Sequence, residues 1–329
     1  MSFRSNERYG GDRLGVRFGL EARFNVMGSI WQVSSNAQEV LDAMHEVFPS
    51  AGDASSSADL LLALHVDFNA CKLLPRPRPH FRALDHLYYA NYGPRDSMVV
   101  DQRNRQVLGH FSLATARDLP YWKNMILPCL VGIVSASVRI TPVHCACVVT
   151  DGLGLLLGGT SGSGKSTLAV ALSQRGFAYL SDDCTYLSRS GADLQAWGLP
   201  IPAKLLPDAV THFPVLGGIP AQESLNGEMA LQIDPGNDLG AARSPSCKPR
   251  WLVFVQRVRG EQPKFHSINS REAADRLIAD LEVLPESIAD QREYQLATIY
   301  QLVESECSIF RHGTTPDLAA RALEEFCKG

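Results

Sequence analysis

The residues best suited to chemistry in this sequence lie between Gly159 and Asp183. Gly159, Gly164, Lys165 and Ser166 satisfy G-x-x-x-x-G-K-[ST], the pattern of a glycine-rich loop that cradles phosphates. Glycines let successive backbone N–H groups turn inward around an anion, and the helix that follows adds the partial positive charge of its N-terminus. In this reading Gly159, Thr160, Ser161, Gly162, Ser163, Gly164, Lys165, Ser166 and Thr167 hold ATP. Lys165 reaches the β and γ phosphates, and the Ser166 hydroxyl binds Mg²⁺, which keeps several waters and needs only one or two protein oxygens. The competing reading is a strand-to-helix turn that binds nothing.

Asp182 and Asp183 follow at the end of FAYLSDD. Adjacent acids at a strand end also serve as solvated turns or helix caps. Downstream of a phosphate loop they gain two further uses: one carboxylate can bind Mg²⁺ directly or through water, and the other can accept a proton from an incoming hydroxyl.

The elements that must position these groups are legible in outline. Gly154 to Leu157 reads as a strand and Thr167 to Gln174 as a helix stopped by Gly176, with Leu168, Ala171 and Leu172 on its packing face. VHCACVVTDGLGLLLGG reads as two strands joined by a tight turn at Asp151 and Gly152. Upstream, the alternation from Arg17 to Ser35 predicts a strand pair turning at Gly28, then a helix capped by Asn36 with Val40, Leu41, Met44 and Val47 on one face. A Ser- and Ala-rich loop at 50–57, the strand LLLALHVDF, a proline-broken linker KLLPRPRPHF and a meander of LDHLYYANY, SMVVD and QVLGHFSL come next. A helix from Thr115 to about Val138 then opens the second domain. The expected division is residues 1–114, a smaller α+β domain, and 115–329, an α/β ATP-binding domain.

Composition excludes several classes. The chain has 329 residues, 45% of them hydrophobic and 20% charged, which supports a large buried core, and a net charge of −4 leaves no basic footprint for nucleic acid or an acidic membrane surface. The nearly uncharged run Asn124 to Val138 contains Pro128 and is short for a bilayer, so a buried helix is expected. The polar first residues carry no apolar leader, and eight cysteines without zinc spacing read as reduced thiols, so a cytoplasmic protein is expected. Lys204, Lys248, Arg250 and Arg311 are candidates for phosphate or peptide contacts, and His312 reads as structural.

From His144 to Asp183 the order of a histidine, a phosphate-loop lysine and paired aspartates resembles the catalytic core of the HPr kinase/phosphorylase family. The resemblance implies a phosphate loop of the kind shared with phosphoenolpyruvate carboxykinases. It also implies site roles: His144, Lys165 and Asp182 catalytic, with Asp182 as the base and His144 beside it tuning its charge, and Ser166 and Asp183 as Mg²⁺ ligands. Two departures narrow it. Thr167 stands where the bifunctional enzymes have glutamate, and WGLPIPAKLLP occupies the region of their HPr-recognition segment. The sequence is more similar to the wider group of HPr-kinase-related proteins with GxSGSGKSTLA…LSDD, some of which resemble kinases of ribosomal peptide precursors.

The expected activity is ATP-dependent, Mg²⁺-dependent transfer of the γ-phosphoryl group to a serine or threonine hydroxyl of a peptide or protein, with no nucleic-acid or membrane partner. A homo-oligomer is compatible with this reading. The alternatives are a regulatory ATP-binding module without phosphotransfer and a small-molecule kinase.

Overall fold

The computed structural model describes residues 18–52, 57–191, 193–224 and 227–329, so the N-terminal segment 1–17 and half of the expected 50–57 loop, residues 53–56, lie outside the described residues. Among the described residues two units follow from the pattern of packing: 18–138 with 285–288, and 139–284 with 289–329.

In the first unit, alternating apolar residues build β1 (Leu20–Val26), β2 (Ser29–Ser35), β3 (Leu60–Asp67), β4 (His80–Leu84), β5 (Leu87–Gly93), β6 (Asp96–Asp101) and β7 (Gln106–Ser112). They form one sheet in the order β1-β2-β3-β7-β6-β5-β4, with β2, β3 and β7 parallel and the other pairs antiparallel. The expected turn at Gly28 is present, with Met27 and Gly28 both at positive φ. Asn36 does not cap the helix Gln38–His45, whose N-cap is Ala37. Its amide instead bonds both backbone groups of Val66, tying the chain to β3. LDHLYYANY is not one strand either: Asp85 adopts φ 53°, and the chain reverses there between β4 and β5.

The apolar run expected to open the second domain belongs to the first unit. Trp122 is fully buried against Phe111, with ring centres 4.8 Å apart, and its indole N–H donates to the Thr115 carbonyl. The run is not one regular α-helix. Trp122–Ile126 widens into a π turn in which the Leu127 N–H reaches the Trp122 carbonyl. Pro128 gives the reason, because its ring crowds the carbonyl four residues back and it has no N–H to donate there. Leu119–Val138 is long and apolar enough by composition to cross a membrane, yet Trp122, Ile126, Leu127, Leu130, Val131 and Val134 are all at 0% exposure inside the protein.

The second unit is mixed α/β. Its strands are β8 (Thr141–Val143), β9 (Ala146–Thr150), β10 (Leu153–Gly158), β11 (Ala178–Ser181), β12 (Thr185–Ser190), β13 (Asp193–Trp197), β14 (Ala203–Leu205), β15 (Ala221–Glu223), β16 (Met229–Ile233), β17 (Ser246–Arg257), β18 (Lys264–Ser267) and β19 (Glu306–His312). The main sheet runs β11-β9-β10-β17-β13-β12-β8, with β19 beside β17 and β18 beside β19; β14, β16 and β15 form a small separate sheet. At its centre β10, β17 and β19 are parallel, so their carboxyl ends point the same way.

That centre is apolar on both faces, as parallel strands covered on both sides must be. Leu155 and Leu157 face one core with Val148, Val253, Val255 and the helix Lys165–Gln174, against which the C-terminal helix Pro316–Lys328 packs. Leu156 faces the other with Cys147, Leu252 and Phe254, covered by Ser270–Ala279 and Asp290–Leu302. Cys145 and Cys147 are buried in this second core, and the cysteines among the described residues are all free thiols.

Candidate active site

The loop after β10 has the backbone its sequence demands. Gly159 sits at φ 139°, where an added Cβ would lie 2.7 Å from the Val255 carbonyl oxygen, so β17 leaves room there for glycine alone. Gly164, at φ 100°, is the left-handed N-cap of the helix Lys165–Gln174, a conformation that costs a residue with a Cβ far more than glycine. The ten-residue helix therefore starts at Lys165 with its first N–H groups facing the loop.

Lys165 is buried and folds back across the loop, its ammonium donating to the carbonyls of Gly159 at 2.7 Å and Thr160 at 3.2 Å. Burial holds its pKa below the ordinary lysine value. The Ser166 hydroxyl donates to the Asp182 carbonyl at 3.2 Å, which leaves its oxygen lone pairs for another partner.

The two aspartates have different surroundings. Asp182 is 6% exposed, and both its oxygens are engaged: Oδ1 accepts from the Tyr179 hydroxyl and Oδ2 from the Lys204 backbone N–H, each at 2.8 Å. Burial pushes its pKa up, against the two hydrogen bonds that favour the charged form. Asp183 is exposed, and its Oδ1 lies 3.1 Å from His144 Nε2. The histidine's hydrogen bond holds the Asp183 carboxyl below the usual carboxylate range, outweighing partial desolvation. The expectation that His144 stands beside Asp182 is thus corrected: its partner is Asp183. The link holding His144 and the link holding the two aspartates are clamped side by side by the pairings Ser181 with Cys147 and Thr185 with Val143, and Asp182 is turned away onto Tyr179 and Lys204.

His144, Ser161, Lys165, Ser166, Asp182 and Asp183 line one cleft of about 510 Å³. That volume is in the range of small-molecule and cofactor sites. It lies at the carboxyl ends of the parallel strands, where open α/β sheets bind ligands. Lys204 and His212 reach it from the β14 side, and Arg257, His312 and Thr314 from the ends of β17 and β19.

The basic candidates divide accordingly. Lys204 is in the cleft. Lys248 pairs with Leu153, six residues before Gly159, and at about 3.3 Å per residue it and nearby Arg250 stand well back from the loop. Arg311 is on a different face, paired with Glu261 at 3.1 Å.

Arg257 and His312 were not singled out as site residues by sequence. They are register neighbours on β17 and β19. Arg257 is exposed and makes no ion pair among the described residues. His312 is 4% exposed and stacks on Phe310, with both ring nitrogens lacking a hydrogen-bond partner among the described residues. Burial, then the neighbouring Arg257 charge, lowers its pKa. The available sequence signal was only that each ends a strand on the carboxyl side of an apolar run.

No family model matches the chain, and no curated protein matches it. Among solved structures it is similar to the HPr(Ser) kinase/phosphatase from Coxiella burnetii, at 15% identity and a TM-score of 0.29, over 57% of this chain and 99% of that one.

Proposed function

We propose that this protein binds ATP with Mg²⁺ and transfers the γ-phosphoryl group to a serine or threonine hydroxyl of a peptide or protein, using a phosphate loop in a phosphoenolpyruvate-carboxykinase-like setting. The observation that carries the proposal is one cleft holding Lys165 and Ser166 of a glycine-built loop together with the ionised Asp183 and its partner His144. The resemblance of the His144 to Asp183 segment to the HPr kinase/phosphorylase family supports the same reading.

The residues present fit the metal. Ser166 keeps free lone pairs and Asp183 presents an exposed carboxylate, a hard oxygen set of the kind Mg²⁺ takes alongside phosphate oxygens and water. The bound ion would neutralise charge on the phosphate oxygens. Lys165, released from its loop carbonyls, turns its ammonium to the phosphates, and the backbone N–H groups of the loop hold them in line.

For the acceptor proton, the geometry favours the His144–Asp183 pair over Asp182. A serine hydroxyl is a weak nucleophile, and a charged group within hydrogen-bond reach can orient it and take its proton late in a loose transition state. Asp183 is ionised, exposed and oriented by the hydrogen bond from His144, whereas Asp182 already holds Tyr179 and Lys204. In this scheme Asp182 is a positioning residue that fixes the Lys204 backbone at the cleft wall. The deciding experiment supplies ATP labelled at the γ position with candidate peptides: acceptor-dependent ADP and labelled peptide support the kinase, and slow label release to water alone supports a regulatory ATP-binding module.

A further inference from the structure

The first unit carries a pair of histidines that the proposed chemistry does not use. His65 on β3 and His110 on β7 are direct register partners across parallel strands, both on the face of the sheet that also exposes Leu61 and Leu108. Their Nδ1 atoms are 3.1 Å apart, the ring planes differ by 17°, and the ring centres are 5.2 Å apart. Because the centres are farther apart than the nitrogens, the rings meet edge to edge through Nδ1, and one Nδ1–H points at the bare Nδ1 of the other.

We propose that this pair is a metal-binding site of its own, in which a borderline divalent cation of the Zn²⁺, Ni²⁺ or Cu²⁺ class replaces the bridging proton and is chelated by the two Nδ1 atoms. Two Zn–N bonds of about 2.0–2.1 Å at a tetrahedral angle set the nitrogens about 3.3 Å apart, close to the spacing already built by the strand register, and each ring has to turn by about 35° to aim its lone pair at the metal instead of at the facing nitrogen. Imidazole nitrogen selects this class over the hard Mg²⁺ of the proposed nucleotide site.

The proton accounting is neutral. Both rings bind as neutral imidazoles with the remaining proton on Nε2, so the donor histidine moves its proton from Nδ1 to Nε2 through water and none is lost. Asp67, two residues along the same face of β3, adds negative charge nearby while its Oδ1 accepts from the Asn69 N–H. No group of three or more His, Cys, Asp or Glu among the described residues is placed to share a metal, so water completes the coordination.

The test uses the full chain labelled with ¹⁵N-histidine and Zn²⁺ alone as the probe. Of nine histidines, two should shift their Nδ1 resonances together and saturate at one equivalent. His110→Gln, at an exposed position, should melt like the wild type, lose one of the two shifts and weaken Zn²⁺ binding by at least ~10-fold, since losing a direct ligand exceeds the loss of an outer partner. Saturation that moves no pair of histidine Nδ1 resonances together in the unmodified chain overturns the proposal whatever the variant does. Equal affinity in His110→Gln also overturns it, because the metal then sits elsewhere, exposed Cys71 included.

Discussion

His144 Nε2 lies 3.1 Å from Asp183 Oδ1, while the adjacent Asp182 is turned inward onto the Tyr179 hydroxyl and the Lys204 N–H. Two neighbouring acids of one sequence motif therefore have separate environments, one exposed and ionised, the other buried and fully engaged. The division yields sharp expectations for single substitutions.

Asp182→Asn should retain most of its transfer rate per folded molecule. The amide oxygen can accept from the Lys204 N–H, and the amide N–H₂ can donate to a rotated Tyr179 hydroxyl, so both partners remain satisfied. Asp182→Ala leaves both groups buried without a partner and should cost about 1–3 kcal/mol of stability. Melting curves beside single-turnover kinetics check the pair; a folded Asp182→Asn protein devoid of transfer would return the base role to Asp182.

Asp183→Asn should lose transfer by about 10²- to 10⁴-fold, the usual contribution of a positioned base, and should weaken Mg²⁺ binding as well, so that more Mg²⁺ is needed. Ser166→Ala should weaken Mg²⁺ binding, so that more Mg²⁺ is needed for half-maximal rate, with a smaller effect on the proton step. Titration of ADP formation against Mg²⁺ separates the two, and matching curves for both variants would show that Asp183 acts on the metal alone.

His144→Ala should move the acidic limb of the pH–rate profile to higher pH. The sign follows from the hydrogen bond: it depresses the Asp183 pKa, so removing it lets that pKa rise, and protonation silences the carboxylate at a less acidic pH. The same depressed pKa gives the folded state a small stability that is present above the unfolded aspartate value and lost as pH falls through the folded one. Because Asp183 is exposed, solvent screens this term. An acidic limb unchanged in His144→Ala would uncouple the pair from catalysis.

Lys165→Ala should abolish productive nucleotide use while the fold persists, a loss of about 3 kcal/mol or more in transition-state stabilisation. Single-turnover ADP formation measures it, with a melting curve to establish folding. Unchanged turnover in the folded variant would sink the nucleotide reading.

Arg257→Ala should weaken nucleotide or acceptor binding by about 1.5–3 kcal/mol, the worth of a hydrogen bond to a charged group. The motive is an exposed guanidinium at the cleft with no ion-pair partner among the described residues. Calorimetric titration with ATP and Mg²⁺, repeated with a peptide acceptor, shows which ligand it meets, and identical affinities for both would remove it from the site.

What the sequence determined by itself is local. An apolar run, glycines at set intervals and a capped helix are contiguous, so Leu153–Gly158, the loop and Lys165–Gln174 were legible from order alone, as were the Gly28 turn and β3. Tertiary structure decided what depends on pairing between distant segments. Ser181 pairs with Cys147 on β9 and Thr185 with Val143 on β8, so the link with His144 and the link with the two aspartates meet through pairings between distant segments and not through spacing along the chain. Asn36 was taken from its expected cap by the Val66 backbone, a partner 30 residues away. Arg257 and His312 reach the cleft because β17 and β19 lie parallel to β10, and parallel pairing needs long connections that bring together residues no local pattern links.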